Sequence, residues 1–375
     1  MPSDFSSPSQ PFNPTNWAEI LGRPPSPSEP LRIPSAAATR ILVTGAGGFI
    51  GSEMVRVFAA SGAAHIVLLD TCEQHLFEVH AALAAPGYAV RCTPILGSVC
   101  DRPLLDALFA EHRPQLILHA AALKHVLLME QNPLAAVATN TLGTATLTEA
   151  ATAQGARHLI LVSTDKAVAP HSIMGASKHI AEQIMLVPDR HMRKTAVRLV
   201  NVIGSPCSVG PLFSEQIARG GPVTVTHPAA NRFFLTLSEV TSLLAEAIES
   251  EASGLLIPNP HVTGEPILIA DLARRMIAAS RRNSPIVFTQ PRPGEKQDES
   301  LVAPNETLAE PATPSLNRVE GPTTPNLAEH LQALEAAIAA LDRAETVRLV
   351  QHLVPGYQPS ALLRDCVSEP LAARS

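Results

Sequence analysis

What this 375-residue chain lacks narrows its reading before any motif is found. Aromatic residues make up 3% of it, with two tyrosines (Tyr88 and Tyr357) and one tryptophan, so chemistry that needs a phenol has two positions to draw on. Its five cysteines (72, 92, 100, 207 and 366) are scattered, odd in number and without metal-ligand spacing. That argues against a disulfide framework or a metal centre and points to a reducing, cytoplasmic compartment. No run of about 18 apolar residues occurs, so no segment is expected to span a bilayer. The first residues, MPSDFSSPSQ, have neither the basic start nor the apolar stretch of a secretory signal. A net charge of -6 provides no excess of positive charge for nucleic acid or an anionic membrane.

Lysine is scarce too. Lys124, Lys166, Lys178, Lys194 and Lys296 stand against 23 arginines. Where arginine is the default surface cation, each remaining lysine is worth following, because a compact, titratable ammonium does chemistry that a guanidinium cannot. Four of the five fall inside motifs.

Residues 1–38 hold nine prolines and seven serines and read as a flexible arm. Within it WAEILGRPP (17–25) is a short amphipathic patch able to dock on the body. From Arg40 onward, apolar strand-like runs alternate with helical ones. The strands are expected at 41–45, 65–70, 88–96, 115–121, 158–165 and 195–204. The helices are expected at 49–62, 74–85, 104–112, 134–154 and 174–186. Such alternation predicts an α/β fold with a parallel sheet covered on both faces over 39–204. Residues 205–310 then read as a smaller α+β lobe carrying the β-like pieces PVTVTHP, RFFLTL and GLLIPN. Residues 311–355 are expected to be loop and a C-terminal helix, with 304–325 Pro/Thr-rich and 326–352 helical, and 356–375 a frayed tail.

TGAGGFIG (44–51) follows a strand, opens a helix and carries Gly45, Gly48 and Gly51. One glycine permits the tight turn, a second the close approach of backbone to a pyrophosphate, a third the packing of helix on strand. Phe49 and Ile50 then begin the helix whose free N–H groups favour an anion. This is the dinucleotide fingerprint of a Rossmann-type doubly wound sheet. Asp70, 19 residues beyond Gly51, ends the second strand. A carboxylate there accepts from the adenosine ribose and repels a 2′-phosphate, which selects NAD over NADP; an ordinary strand-end aspartate is the alternative.

The segments VTGAGGFIGSE (43–53), HAAALKHVLLME (119–130), NTLGT (140–144), STDKAV (163–168), MGASK (174–178), PLFSEQIARGGPVTVTHP (211–228), RFFLTLSE (232–239) and RPGEK (292–296) occur in that order. With them the chain resembles the extended short-chain dehydrogenase/reductases. Within that group it resembles the polysaccharide-biosynthesis UDP-N-acetylglucosamine 4,6-dehydratases, in particular the long branch with methionine in place of the usual catalytic tyrosine, here its catalytic part without the membrane portion. The place of YxxxK is taken by Met174–Lys178, and neither tyrosine supplies it: Tyr88 is followed four residues on by Cys92, Tyr357 by Ala361.

The resemblance implies oxidation at sugar C4 by NAD, loss of water across C5 and C6, and return of hydride to C6. Thr164 would hold the C4 oxygen. Lys166 would be the C5 base if burial beside other cations, such as Lys178, lowers its pKa. Asp165 would be the acid at C6 if enclosure keeps it protonated, and Lys178 would bind the nicotinamide ribose. Ser98, Val99, Ala120 and Ala121 would line the cofactor. Lys124, His125, Asn201, Arg232, Arg292 and Glu295 would meet a UDP-sugar. For His125 a structural role is an equal alternative, and for Arg232 and the Arg292/Glu295 pair surface ion pairing is another. The alanine-rich helices at 134–154 and 174–186 offer faces for a homo-oligomer.

Departures from the family pattern cluster near the ligands. Ser98 stands for aspartate in GSVCD, Leu127 for proline, Val200 for glycine, and Pro206–Cys207 for an Arg–Gly pair. Two other functions remain in play from sequence: a UDP-sugar epimerase on the same fold, and a non-catalytic nucleotide-binding protein.

Overall fold

The computed structural model describes residues 17–24, 30–84 and 90–368, the last four without side chains. Most of the expected arm (1–16 and 25–29) and residues 369–375 lie outside the described residues.

Nine strands form the central sheet: β1 Arg40–Thr44, β2 His65–Asp70, β3 Arg91–Leu96, β4 Leu116–His119, β5 His158–Thr164, β6 Arg193–Leu199, β7 Gly254–Pro258, β8 Thr307–Pro311 and β9 Leu316–Glu320. Their order is β8-β9-β7-β6-β5-β4-β1-β2-β3. All neighbours from β7 to β3 pair in parallel, and β8 and β9 close the far edge antiparallel. Strand β1 is fully apolar from Ile41 to Val43 and completely buried, as a strand covered on both faces must be. One apolar layer joins the sheet to helices Phe49–Ala60, Glu73–Ala84 and Leu237–Glu249. The other joins it to Arg102–His112, Gly143–Ala153 and Ile173–Leu186. The chain reverses direction of travel across the sheet between β1 and β4, so a crevice opens above their carboxyl ends.

Several expectations need correction. GLLIPN belongs to the main sheet as β7, where Gly254–Leu256 pair with Thr195–Val197. The stretch 304–325 holds β8 and β9; β9 buries Leu316 and Val319 and pairs along β7. Its prolines are tolerated because β8 is the sheet edge and shifts register at Leu308/Pro311. The helix expected over 134–154 is interrupted by a wide turn at Ala138–Leu142. There Asn140 turns its amide onto Leu123 N and O and onto Ser177 Oγ. The helix expected over 326–352 is two, Leu327–Ala339 and Arg343–Leu353, broken where Leu341 takes φ 56° and Asp342 caps Glu345 N. The expected tail contains a helix at Ala361–Ser368 and buries Tyr357 and Leu363 against the outer face of the Ile173–Leu186 helix cluster.

The lobe is made of three small strand pairs, Asn201–Val202 with Phe234–Leu235, Val223–Val225 with Ile286–Phe288, and Asn231–Arg232 with Ile267–Leu268. Its apolar centre includes Ile20 and Leu21 of a five-residue helix, Trp17–Leu21. That segment is tied by Arg23 to both oxygens of Glu239 at 2.8–2.9 Å. Trp17 stacks where a side chain at Gly204 or Gly210 would stand.

Candidate active site

The nucleotide cleft is shaped by backbone. Gly45 has φ 66°, and a Cβ there would lie 2.7 Å from Ala121 N; only glycine lets β1 and β4 come this close. A Cβ on Gly51 would meet Gly45 O at 2.0 Å, so the helix start is seated directly on the turn. Gly48 caps that helix with no side chain of its own, and the first-turn N–H groups at Phe49–Gly51 have no intrahelical acceptor. Gly45, Gly48, Asp70, Ser98, Val99, Ala120 and Ala121 line one cleft of about 240 Å³, together with His75, Gly97, Leu123 and Thr139. Asp70 Oδ2 accepts from Gly47 N at 2.9 Å and Oδ1 from Cys72 N at 2.9 Å. These bonds fix the carboxylate at the cleft rim with lone pairs remaining. Ser98 accepts from Cys100 N and so shapes the turn beneath the cleft as well as lining it.

At the carboxyl end of β5 the residues Thr164, Asp165 and Lys166 form a hydrogen-bonded cluster. Lys166 Nζ donates to Asp165 Oδ1 at 2.9 Å and to Asn201 Oδ1 at 3.1 Å, and Thr164 Oγ1 donates to Asp165 Oδ1 at 3.0 Å. Asp165 is fully buried. Gly175 makes this possible: a Cβ there would stand 2.2 Å from Lys166 O, so the Ile173–Leu186 helix packs against the Asp165–Ala167 turn.

Lys166 departs from the lowered pKa expected of it. Burial works against the Lys166 ammonium, but Asp165 and Glu299 outweigh it and hold its pKa above the usual lysine value. Lys178 is the depressed one: buried, donating to Val162 O at 2.8 Å, it is brought down to about 8 by desolvation, with Glu182 opposing. The cation that works against the Lys166 ammonium, after burial itself, is Arg232. Met174 lies 2% exposed in an apolar cluster with Met129, Ile180, Val350 and Tyr357.

The positions expected on the substrate side behave differently from one another. Asn201 joins the Thr164–Asp165–Lys166 cluster, bridging Lys166, Phe233 O and Asp165. Arg232 donates to the carbonyls of Asn231, Lys296 and Gln297, which makes it a clamp on the 292–299 turn rather than a free phosphate ligand. Lys124 Nζ donates to Pro206 O at 3.1 Å, across the altered 205–208 turn. His125 caps the Val126–Gln131 helix by position without a side-chain bond. Arg292 and Glu295 sit together in a turn, with Arg292 exposed.

Sequence reasoning missed several members. Gly47 is one: a Cβ there would lie 2.5 Å from His75 Cβ. Glu299 is another, a buried carboxylate 3.8 Å from Lys166 Nζ. Arg198 is the largest fully buried side chain; it pairs with Glu182 and Glu306 at 2.7–3.1 Å and donates to Leu301 O. His119, also fully buried, bridges Thr44 and Thr144 and is kept neutral by burial first and Lys178 second, its pKa down at about 3. An arginine within an apolar strand was the visible signal for the Arg198 network.

Comparison with known proteins agrees with this layout. A family model described as polysaccharide biosynthesis protein matches residues 41–320. The probable polysaccharide biosynthesis protein EpsC of Bacillus subtilis (strain 168) is 39% identical over 310 residues, 80% of this chain; the chain spans about half of that protein's length, 51%. Among solved structures, Pen from Bacillus thuringiensis superposes with a TM-score of 0.68 at 26% identity, covering 75% of this chain and 88% of that one. DesIV, a dTDP-glucose 4,6-dehydratase from Streptomyces venezuelae solved with NAD and TYD bound, shares the fold at a TM-score of 0.60 and 22% identity, over 69% of this chain and 86% of its own. With the model matched from β1 through β9, the chain belongs to the polysaccharide biosynthesis protein family, on an extended short-chain dehydrogenase/reductase fold.

Proposed function

We propose that the protein is an NAD-dependent 4,6-dehydratase of a UDP-N-acetylhexosamine, with UDP-N-acetylglucosamine the leading substrate, making a 4-keto-6-deoxy nucleotide sugar for a surface glycan. The observation that carries this reading is the Thr164–Asp165–Lys166–Asn201 cluster at the carboxyl end of β5, one strand from the β4 edge of the nucleotide cleft. A Rossmann protein that only transferred hydride would have no use for an acid and a base held as a pair there.

The cleft fits a dinucleotide. Its glycine floor, the uncapped helix start and Asp70 at the rim suit pyrophosphate and a ribose with a free 2′-hydroxyl. When bound, NAD would supply a reversible hydride carrier, taking hydride from sugar C4 and returning it to C6. Lys178 would donate to the nicotinamide ribose, as an ammonium or amine near pH 8. Thr164 would hold the C4 oxygen, whose proton is released to solvent as hydride leaves C4. Once C4 is a ketone the C5 proton is acidified, and Lys166 in its neutral form takes it while Asp165 delivers a proton to the departing C6 hydroxyl; Lys166 then returns a proton to C5 as hydride reaches C6, and one proton from solvent restores the pair. In the resting ion pair the one shared proton rests on Lys166. The reactive arrangement therefore requires a proton to pass from Lys166 to Asp165 across their 2.9 Å contact when substrate excludes water.

The epimerase reading is weakened by Met174, whose thioether accepts no proton from a sugar hydroxyl. Incubating the purified protein with UDP-N-acetylglucosamine and weighing the product by mass spectrometry separates the readings. Loss of one water supports dehydration. An isobaric isomer means epimerisation, and binding with no turnover means a scaffold.

A further inference from the structure

A second carboxylate reaches the Lys166 ammonium from a different part of the chain. Glu299 follows the 292–296 turn, and its side chain is 3% exposed. Its Oε1 lies 3.8 Å from Lys166 Nζ and 3.8 Å from Arg232 Nε, and its Oε2 lies 3.7 Å from Lys296 Nζ. Oε2 has no hydrogen-bond partner among the described residues. All three cations have closer acceptors. Arg232 is bound to the carbonyls of Asn231, Lys296 and Gln297, Lys296 to Val168 O, and Lys166 to Asp165 and Asn201. Glu299 is thus a buried anion held by charge more than by hydrogen bonds, an arrangement that folding alone does not favour. The turn that carries it is seated on the catalytic segment: a Cβ on Gly294 would stand 3.0 Å from Ser172 Cβ and from Val126 Cγ1.

We propose that Glu299 is a positioning residue for the base: from the lobe, it fixes the place and charge of the Lys166 ammonium, so that the base is set only when the 292–299 turn is docked. This rests on the dehydratase reading for the role of Lys166, though not for the contact itself. The charged groups facing Lys166 are Asp165 on its own turn, Glu299 and Lys296 on the lobe turn, and Arg232 on its strand. Of the two carboxylates, Glu299 is the one supplied by the lobe turn. Removing its charge leaves Lys166 with one carboxylate and two cations, so its proton is released at lower pH. The alkaline limb of activity then moves to lower pH as well, because once the pair has lost its proton Asp165 has none to deliver.

The chain has five lysines, so ¹⁵N-lysine labelling allows each Nζ to be titrated by NMR, with Lys166 assigned through Lys166→Arg. In Glu299→Gln the Lys166 midpoint is expected to fall by about one pH unit, a tenfold loss of proton affinity, while the Lys178 signal stays in place. A Lys166 midpoint that does not move, or one that moves only together with all the others, overturns the proposal. Should Glu299→Gln prove unstable, Glu299→Asp in the same titration is expected to give a smaller fall, and no fall counts against. If the wild-type protein fails to exchange the C5 proton of UDP-N-acetylglucosamine, the dehydratase reading is lost, and the titration still decides the role of Glu299.

Discussion

Replacing Arg198 by methionine tests whether the buried ion network holds the Ile173–Leu186 helix to the sheet. Arg198 donates five hydrogen bonds, four to Glu182 and Glu306 and one to Leu301 O. The side chains involved are 0%, 1% and 9% exposed. Methionine matches much of the volume and leaves two carboxylates buried without their cation, which costs about 3–5 kcal/mol. Glu182 keeps Ser163 Oγ and Glu306 keeps Ala303 N, which argues for the lower half of that range. The cost also depends on pH. In the native protein burial pushes Glu306 up, but Arg198 outweighs it and holds the pKa below the usual value. That stabilisation is present above the unfolded pKa and is lost as pH falls through the folded one. In the variant Glu306 is buried without that cation and its pKa rises, so it opposes folding at neutral pH and ceases to as pH falls. The gap between the two proteins should therefore narrow steadily from about pH 7 to about pH 4. Urea unfolding followed by circular dichroism at several pH values measures it. A difference at pH 7 below about 1 kcal/mol, or one independent of pH, would refute the network's role.

Three further outcomes follow from the geometry. Gly51→Ala puts a Cβ 2.0 Å from Gly45 O, so it should destabilise by about 1–3 kcal/mol and weaken NAD binding measured by calorimetry. Lys178→Met removes a cation whose folded pKa, about 8, lies below its unfolded 10.5. The wild type bears that penalty fully below pH 8 and sheds it as pH rises to 10.5, so the variant's relative gain in apo stability should be largest below pH 8, at most about 3 kcal/mol, and vanish by pH 10.5. Trp17→Ala should cost about 2 kcal/mol, less than a fully buried tryptophan, and open the Ile20–Leu21 segment to thermolysin; unchanged proteolysis would mean the segment is held by Arg23–Glu239 alone.

Much of the sheet was legible because parallel strands covered on both faces read as unbroken apolar runs, as in β1, β2 and β5. The cofactor cleft was legible because glycine spacing and a strand-end carboxylate have one backbone solution. Contacts made across the chain were not. Glu299 sits in the polar run EKQDES and looks solvated until the turn folds back on Lys166. Gly47 and Gly175 are required by neighbours, His75 and Lys166, that no spacing rule connects to them. Strands β8 and β9 were hidden by proline and threonine, because an edge pair is stabilised by its partner β7 rather than by its own apolar pattern. The raised pKa of Lys166 likewise depends, after Asp165, on Glu299, which lies 133 positions from Lys166 in sequence and beside it in space.

The central claim is that Lys166 and Asp165 eliminate water from a nucleotide sugar. Its most direct test is the reaction of the purified protein with UDP-N-acetylglucosamine and NAD in deuterated water, read by mass spectrometry and proton NMR. A product lighter by one water, with deuterium at C5 and none of it formed by Lys166→Ala, is the predicted result. An isobaric product without deuterium at C5, or C5 exchange that survives Lys166→Ala, would contradict it.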